Sequence, residues 1–152
     1  MLQEFNFEFG EKTPGEAFFA LRIKELISED AKHFLLAEAD VVVGFAQVDF
    51  RPTVYSKQPV ATVEELYVKP KRRGQGHGRM LMEAMLEMAR ERGCPWVEVI
   101  TGEDDTAARG LYESFGFHNE IEGYENERAL YYEREQGATL PAKTEAKGDA
   151  DV

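Results

Sequence analysis

Cysteine is nearly missing from this chain: Cys94 stands alone among 152 residues. A lone thiol forbids any disulfide within the chain, which suits a reducing compartment, and the expected location is the cytoplasm. Cys94 lies between Gly93 and Pro95-Trp96 with no histidine beside it to activate it, so a buried junction is expected rather than a nucleophile. Histidine is scarce too. His33, His77 and His118 form neither an H-x-x-H pair nor a cysteine-histidine cluster, and no metal site is expected. A membrane span needs about 18 consecutive apolar residues. The longest candidate, Val41 to Val48, is interrupted by Gly44 and Gln47, so no membrane partner is expected. The opening MLQEFNFEFG is acidic and alternating, unlike the basic-then-apolar order of a secretory leader.

Positive charge is also in short supply, with a formal net charge of -11. Nucleic-acid binding rests on neutralising phosphates, so that class is disfavoured, and a cationic partner is favoured, although an acidic surface also simply maintains solubility. The cations that exist are concentrated. Lys69, Lys71, Arg72, Arg73 and Arg79 place five positive charges and no acid between 69 and 79, leaving -16 for the rest. A polyanion is thereby directed to one place.

Three glycines, Gly74, Gly76 and Gly78, lie within that segment, between a strand-like Leu66-Tyr67-Val68 and a helical pattern. Glycines let successive backbone N–H groups point at one anion, reinforced by the positive end of the following helix. The phosphate loop G-x-x-x-x-G-K-[ST] is absent, and the dinucleotide fingerprint fails because Arg79 stands where its third glycine belongs. What remains is R-x-x-G-x-G, Arg73 through Gly78. This resembles the acetyl-CoA loop of the GNAT superfamily of N-acetyltransferases. A second stretch, Asp105 through Phe117, resembles the family pattern N-x-x-A-x-x-L-Y-x-x-x-G-F, with Ala108, Leu111, Tyr112, Gly116 and Phe117 in place and Asp105 at the usual asparagine.

The resemblance implies an α/β fold with a mixed, mostly antiparallel central sheet, splayed at its middle and flanked by helices. It implies acetyl-CoA as co-substrate, bound by Leu66, Tyr67, Val68, Arg73, Gly74, Gln75, Gly76, His77, Gly78, Arg79, Asp105 and Ala108. Tyr112 would protonate the departing thiolate. Val63-Glu64-Glu65-Leu66-Tyr67-Val68 is further similar to the corresponding strand of diamine acetyltransferases, which implies Glu64 as general base and Glu65 as the group orienting the amine. The expected partner is a small-molecule amine, with peptide acetylation or a non-catalytic acyl-CoA-binding module as alternatives. Many family members are dimers, so a homodimer is one arrangement the resemblance allows.

Organisation follows from periodicity. Phe5, Phe7 and Phe9 alternate with polar residues and predict an opening strand. Thr13-Pro14-Gly15-Glu16 predicts a capping box with proline first in a helix reaching about Ser28. His33–Ala39 and Val41–Phe50 predict a hairpin around Asp40, and 51–59 a polar loop. In Val60–Val68 the adjacent Glu64 and Glu65 break the alternation, which predicts a β-bulge. A helix to Arg92 is expected to bury Leu81, Met85, Leu86, Met88 and Ala89; Trp96–Ile100 is a strand, Asp105–Phe115 a helix, and Phe117–Ile121 and Ala129–Glu133 close the sheet. The expected domain is 1–135. The stretch 136–152 loses its aromatics and is expected to be a disordered acidic tail.

Overall fold

The computed structural model describes residues 1–28, 32–120 and 129. Met1–His118 and Asn119–Val152 form two compact units, and every helix and strand discussed below belongs to the first. The expected loop 122–128, strand 129–133 and tail 136–152 lie outside the described residues, apart from Ala129. Of the expected strand Phe117–Ile121, the described part holds only a bridge at Glu120.

The opening strand is corrected to a helix, α1 (Leu2–Glu8). Leu2, Phe5 and Asn6 with Phe9 just beyond also fit the helical spacing i, i+3, i+4, i+7. The helical solution packs one half-buried ring: Phe5 lies 5.6 Å from Tyr67, 6.3 Å from Phe45 and 5.0 Å from Phe9 between ring centres. Phe7 and Phe9 remain 63% and 54% exposed, so the alternation does not mark a buried face. The capping box is corrected as well. Helix α2 (Glu16–Ile27) starts at Glu16 behind Gly15 at φ 95° with no side-chain cap, and the Thr13 hydroxyl instead accepts from the Gly15 N–H at 3.2 Å.

Strands β1 (Lys32–Glu38), β2 (Val42–Arg51), β3 (Val60–Val68) and β4 (Val97–Val99) form a sheet in that order. The first three are antiparallel neighbours and β4 runs parallel to β3. A parallel neighbour needs a crossover, supplied by α3 (His77–Glu91), which covers the sheet. Its buried side is Leu81, Met82, Met85 and Ala89. Met82 joins the expected Leu81, Met85 and Ala89, while Leu86 and Met88 are half-buried because they fall on the two flanks of that stripe. These side chains close a core with Val43, Ala46, Val48, Ala61 and Val63.

Two irregularities open the sheet. Gln47 pairs with Glu65 but Val48 with Val63, so Glu64 is the extra residue of the expected bulge. Beside it, β3 pairs with β4 only over Ala61–Val63. From Glu64 to Val68 that edge of β3 has no strand partner among the described residues. The sheet therefore splays between β3 and β4.

Candidate active site

The splay leads into a cavity of about 670 Å³. Its floor is Leu66–Val68, one wall is Ala107, Ala108 and Leu111 of α4 (Thr106–Glu113), and its rim is the turn between β3 and α3. Lys69 leads into a single 3₁₀ turn, Pro70–Arg72, after which Gly74 and Gly76 take φ 73° and 86°. Those left-handed conformations are what an L side chain would oppose. Gly76 is the residue before α3, and no side chain caps that helix among the described residues. The first N–H groups of a helix have no partner within it. Met80 N is the first to bond back, to the Gly76 carbonyl at 3.0 Å, so the amides preceding it face outward with the positive end of a 15-residue helix behind them.

Gly78 serves a different purpose. A Cβ there would sit 3.4 Å from Leu111 Cδ2 and 3.9 and 4.0 Å from Val68 and Leu66, which is ordinary contact, within the cavity wall. Its bare Cα keeps the cavity open.

Among the expected cofactor residues, Leu66, Tyr67, Val68, Arg73, Gly74, Gly76, His77, Gly78, Arg79, Asp105 and Ala108 all line this one cavity. Gln75 does not; its amide donates to the Lys71 carbonyl at 3.3 Å. Asp105 is the cap of α4, its Oδ1 accepting from Ala108 N at 2.9 Å. Glu8, Phe9, Arg72 and Asp104 also line the cavity without having been expected there. Ala107 and Leu111 were recoverable as helical neighbours of Ala108. Nothing in local sequence joins Glu8 to a loop so far along the chain.

The concentrated charge of 69–79 is corrected by the fold. Arg73 meets Glu8 at 2.7 Å, Arg72 meets Asp40 at 2.7 Å, Lys69 meets Glu4 at 3.9 Å and Arg79 meets Glu83 at 4.0 Å. Four of the five cations thus carry a carboxylate partner supplied from elsewhere in the chain.

Beyond the floor lie the three candidate chemical groups, none of which lines the cavity itself. Tyr112 is only 8% exposed, and burial, then the charges of Asp105 and Glu65, push its phenol up to about 12. Glu65 is half-buried, and burial followed by the charge of Glu64 raises its carboxyl above the usual range. Glu64, on the bulge, is exposed. Glu65 and Tyr112 therefore share one electrostatic neighbourhood.

Comparison with known proteins identifies the family. Residues 1–117 match the Acetyltransferase (GNAT) family, and the chain belongs to it. An uncharacterized N-acetyltransferase of Archaeoglobus fulgidus is 37% identical over 60% of this chain, which spans 63% of that protein's length. The aminoglycoside N(6')-acetyltransferase type 1 of Stenotrophomonas maltophilia is 30% identical over 72% of this chain and 70% of its own. A crystal structure of an Arthrobacter sp. FB24 protein superposes with a TM-score of 0.80 at 40% identity, covering 88% of this chain and 85% of the other.

Proposed function

We propose that this chain transfers the acetyl group of acetyl-CoA to the primary amine of a small cationic molecule. One observation carries the reading: a helix start without a side-chain cap and a strand edge without a strand partner, both among the described residues, face the same cavity. Free N–H groups suit a diphosphate, and the open edge of Leu66–Val68 suits an amide-bearing arm that completes the ladder. When bound, acetyl-CoA supplies the activated acyl group, and everything else falls to the protein.

An alkylamine with a pKa near 10.4 is almost wholly protonated at pH 7, a deficit of about 4 to 5 kcal/mol. A carboxylate must take that proton. The structure supports exchanging the roles implied by resemblance: Glu65, half-buried with a raised pKa beside Tyr112, suits the base, while exposed Glu64 suits the approach of a cationic acceptor. Tyr112 keeps its proton at every working pH. A phenol at about 12 giving its proton outright to a thiolate of pKa about 8.5 would run uphill by roughly 5 kcal/mol. Its role is therefore to donate a hydrogen bond to sulfur as charge gathers there. Of the two protons an ammonium loses on becoming an amide, the first passes through Glu65 to solvent before attack, and the second, taken by Glu65 as the C–N bond forms and the C–S bond breaks, completes the thiol.

The acidic chain and the relative named for aminoglycosides, themselves polycations, support a small cationic acceptor over a peptide. Thiol release from acetyl-CoA across a panel of diamines, aminoglycosides and peptides tests this. Turnover is expected with small cationic amines. Turnover with peptides alone would reassign the acceptor, and coenzyme binding without release would make the chain a binding module.

A further inference from the structure

Three arginines line the cavity, and each already holds an anion or polar group. Arg72 donates from Nη2 to both oxygens of Asp40, and Arg79 to Ser114 Oγ at 3.0 Å with Glu83 at the edge of reach. Asp40, Glu83 and Ser114 all lie outside the cavity wall. Glu8 differs. It is itself a wall residue, and its Oε1 lies 2.7 Å from Arg73 Nη2. Arg73 is oriented from behind, its Nε donating to the Val68 carbonyl at 2.9 Å, so the end of the guanidinium that Glu8 holds is its free end. Glu8 is oriented too: α1 is anchored by Phe5 on Phe45 and Tyr67, and the Glu8 charge, after burial, pushes the Tyr67 phenol up.

We propose that Glu8 is a tethered competitor anion, which occupies Arg73 in the empty site and yields it only to a ligand bearing more than one phosphate group. The proposal rests on the coenzyme reading above. A single carboxylate held in place has the advantage of proximity over a free anion with one charged group, so inorganic phosphate or a metabolite carboxylate gains little from Arg73. A diphosphate recovers more, because the helix amides grip it at the same time. Arg73 and Glu8 side chains are 45% and 28% exposed, so their pair is a modest one, and the barrier it sets is correspondingly small.

The experiment is calorimetric titration of the full chain with coenzyme A, with thermal melting to show that each variant is folded. Glu8→Gln keeps the size of the side chain while removing the charge, and is expected to bind coenzyme A about three- to fivefold more tightly, as befits a half-exposed ion pair. In Glu8→Gln, millimolar inorganic phosphate should also compete visibly with coenzyme A, which it should not do in the parent. Glu4→Gln, which removes an acid outside the cavity, should bind as the parent does. Arg73→Gln should weaken binding, and adding Glu8→Gln to it should then give a clearly smaller gain than Glu8→Gln gives in the parent, because most of its effect passes through one contact and only the repulsion of a wall carboxylate is left. Unchanged or weaker binding by Glu8→Gln overturns the proposal while leaving the coenzyme reading intact, as does a gain that is as large without Arg73. Failure of parent and variants alike to bind coenzyme A would remove both.

Discussion

At the scale of single residues, the neighbouring glutamates are separated by environment. Glu65 is half-buried and its carboxyl is raised; Glu64 is exposed. A raised carboxyl in the folded state favours the proton-bound form, so its contribution to stability is present below the ordinary value near 4.5 and is lost as pH rises through the folded value. Glu65→Gln removes a group that is costly to ionise in the fold. Its melting temperature is therefore expected to exceed the parent's at pH 8 and to converge on it at pH 4, while its turnover falls by about 100-fold or more, as for a general base. Glu64→Gln, which removes the charge that adds to the cost of ionising Glu65, should show a smaller part of the same advantage at pH 8 and none at pH 4, and should raise KM for cationic amines more than it lowers kcat. If Glu64→Gln shows the larger loss of kcat, the roles implied by the diamine acetyltransferase resemblance are the right ones. With Tyr112 in the proposed role of donor to sulfur, Tyr112→Phe is expected to lose about tenfold to 100-fold in kcat with coenzyme affinity unchanged.

Elements show why some of this was legible in sequence and some was not. The bulge was visible because two adjacent acids break a period-two pattern, and a charged pair cannot both face a core. The glycine turn was visible because backbone freedom is written directly into residue type. Helix α1 was hidden: Phe5, Phe7 and Phe9 alternate, yet Leu2, Phe5 and Phe9 also satisfy a helix, and only packing on Phe45 and Tyr67 decides between them. The pairing of loop cations with Glu4, Glu8, Asp40 and Glu83 was hidden for the same reason, three of those acids lying on other elements. The glycines also divide by function. A Cβ at Gly44 would lie 2.8 Å from the Tyr67 carbonyl oxygen, where β2 presses on the cavity floor, so Gly44→Ala should destabilise by about 1 to 3 kcal/mol through overpacking. Gly78 is helical and meets only ordinary contacts. Gly78→Ala should gain up to about 1 kcal/mol in stability from helix propensity while losing coenzyme affinity, because the methyl stands in the cavity. Denaturant melts and calorimetry on the pair check both signs; a Gly78→Ala that binds normally would mean the cavity wall there is not used.

At the scale of the molecule, the question is which charge an approaching polyanion feels. Sequence alone places five cations at the loop, but four have carboxylate partners in the fold, and the chain as a whole carries -11. Beyond a few ångströms the paired loop is nearly neutral and the net charge prevails. The Debye length is about 30 Å at 0.01 M salt and about 8 Å at 0.15 M, so at low salt coenzyme A meets the repulsion of most of the molecule, and near 0.15 M mainly that of its immediate surroundings. Its association rate should therefore increase with salt over this range, by about threefold, contrary to the decrease expected of a basic anion site. A cationic acceptor feels the same field with opposite sign, and its KM should rise with salt. Stopped-flow binding of coenzyme A and steady-state kinetics of the amine, measured across the same salt series, give the two slopes. A coenzyme association rate that falls steadily from 0.01 M upward would show that the loop cations are unpaired in solution and that they, rather than the acidic body of the protein, govern the encounter.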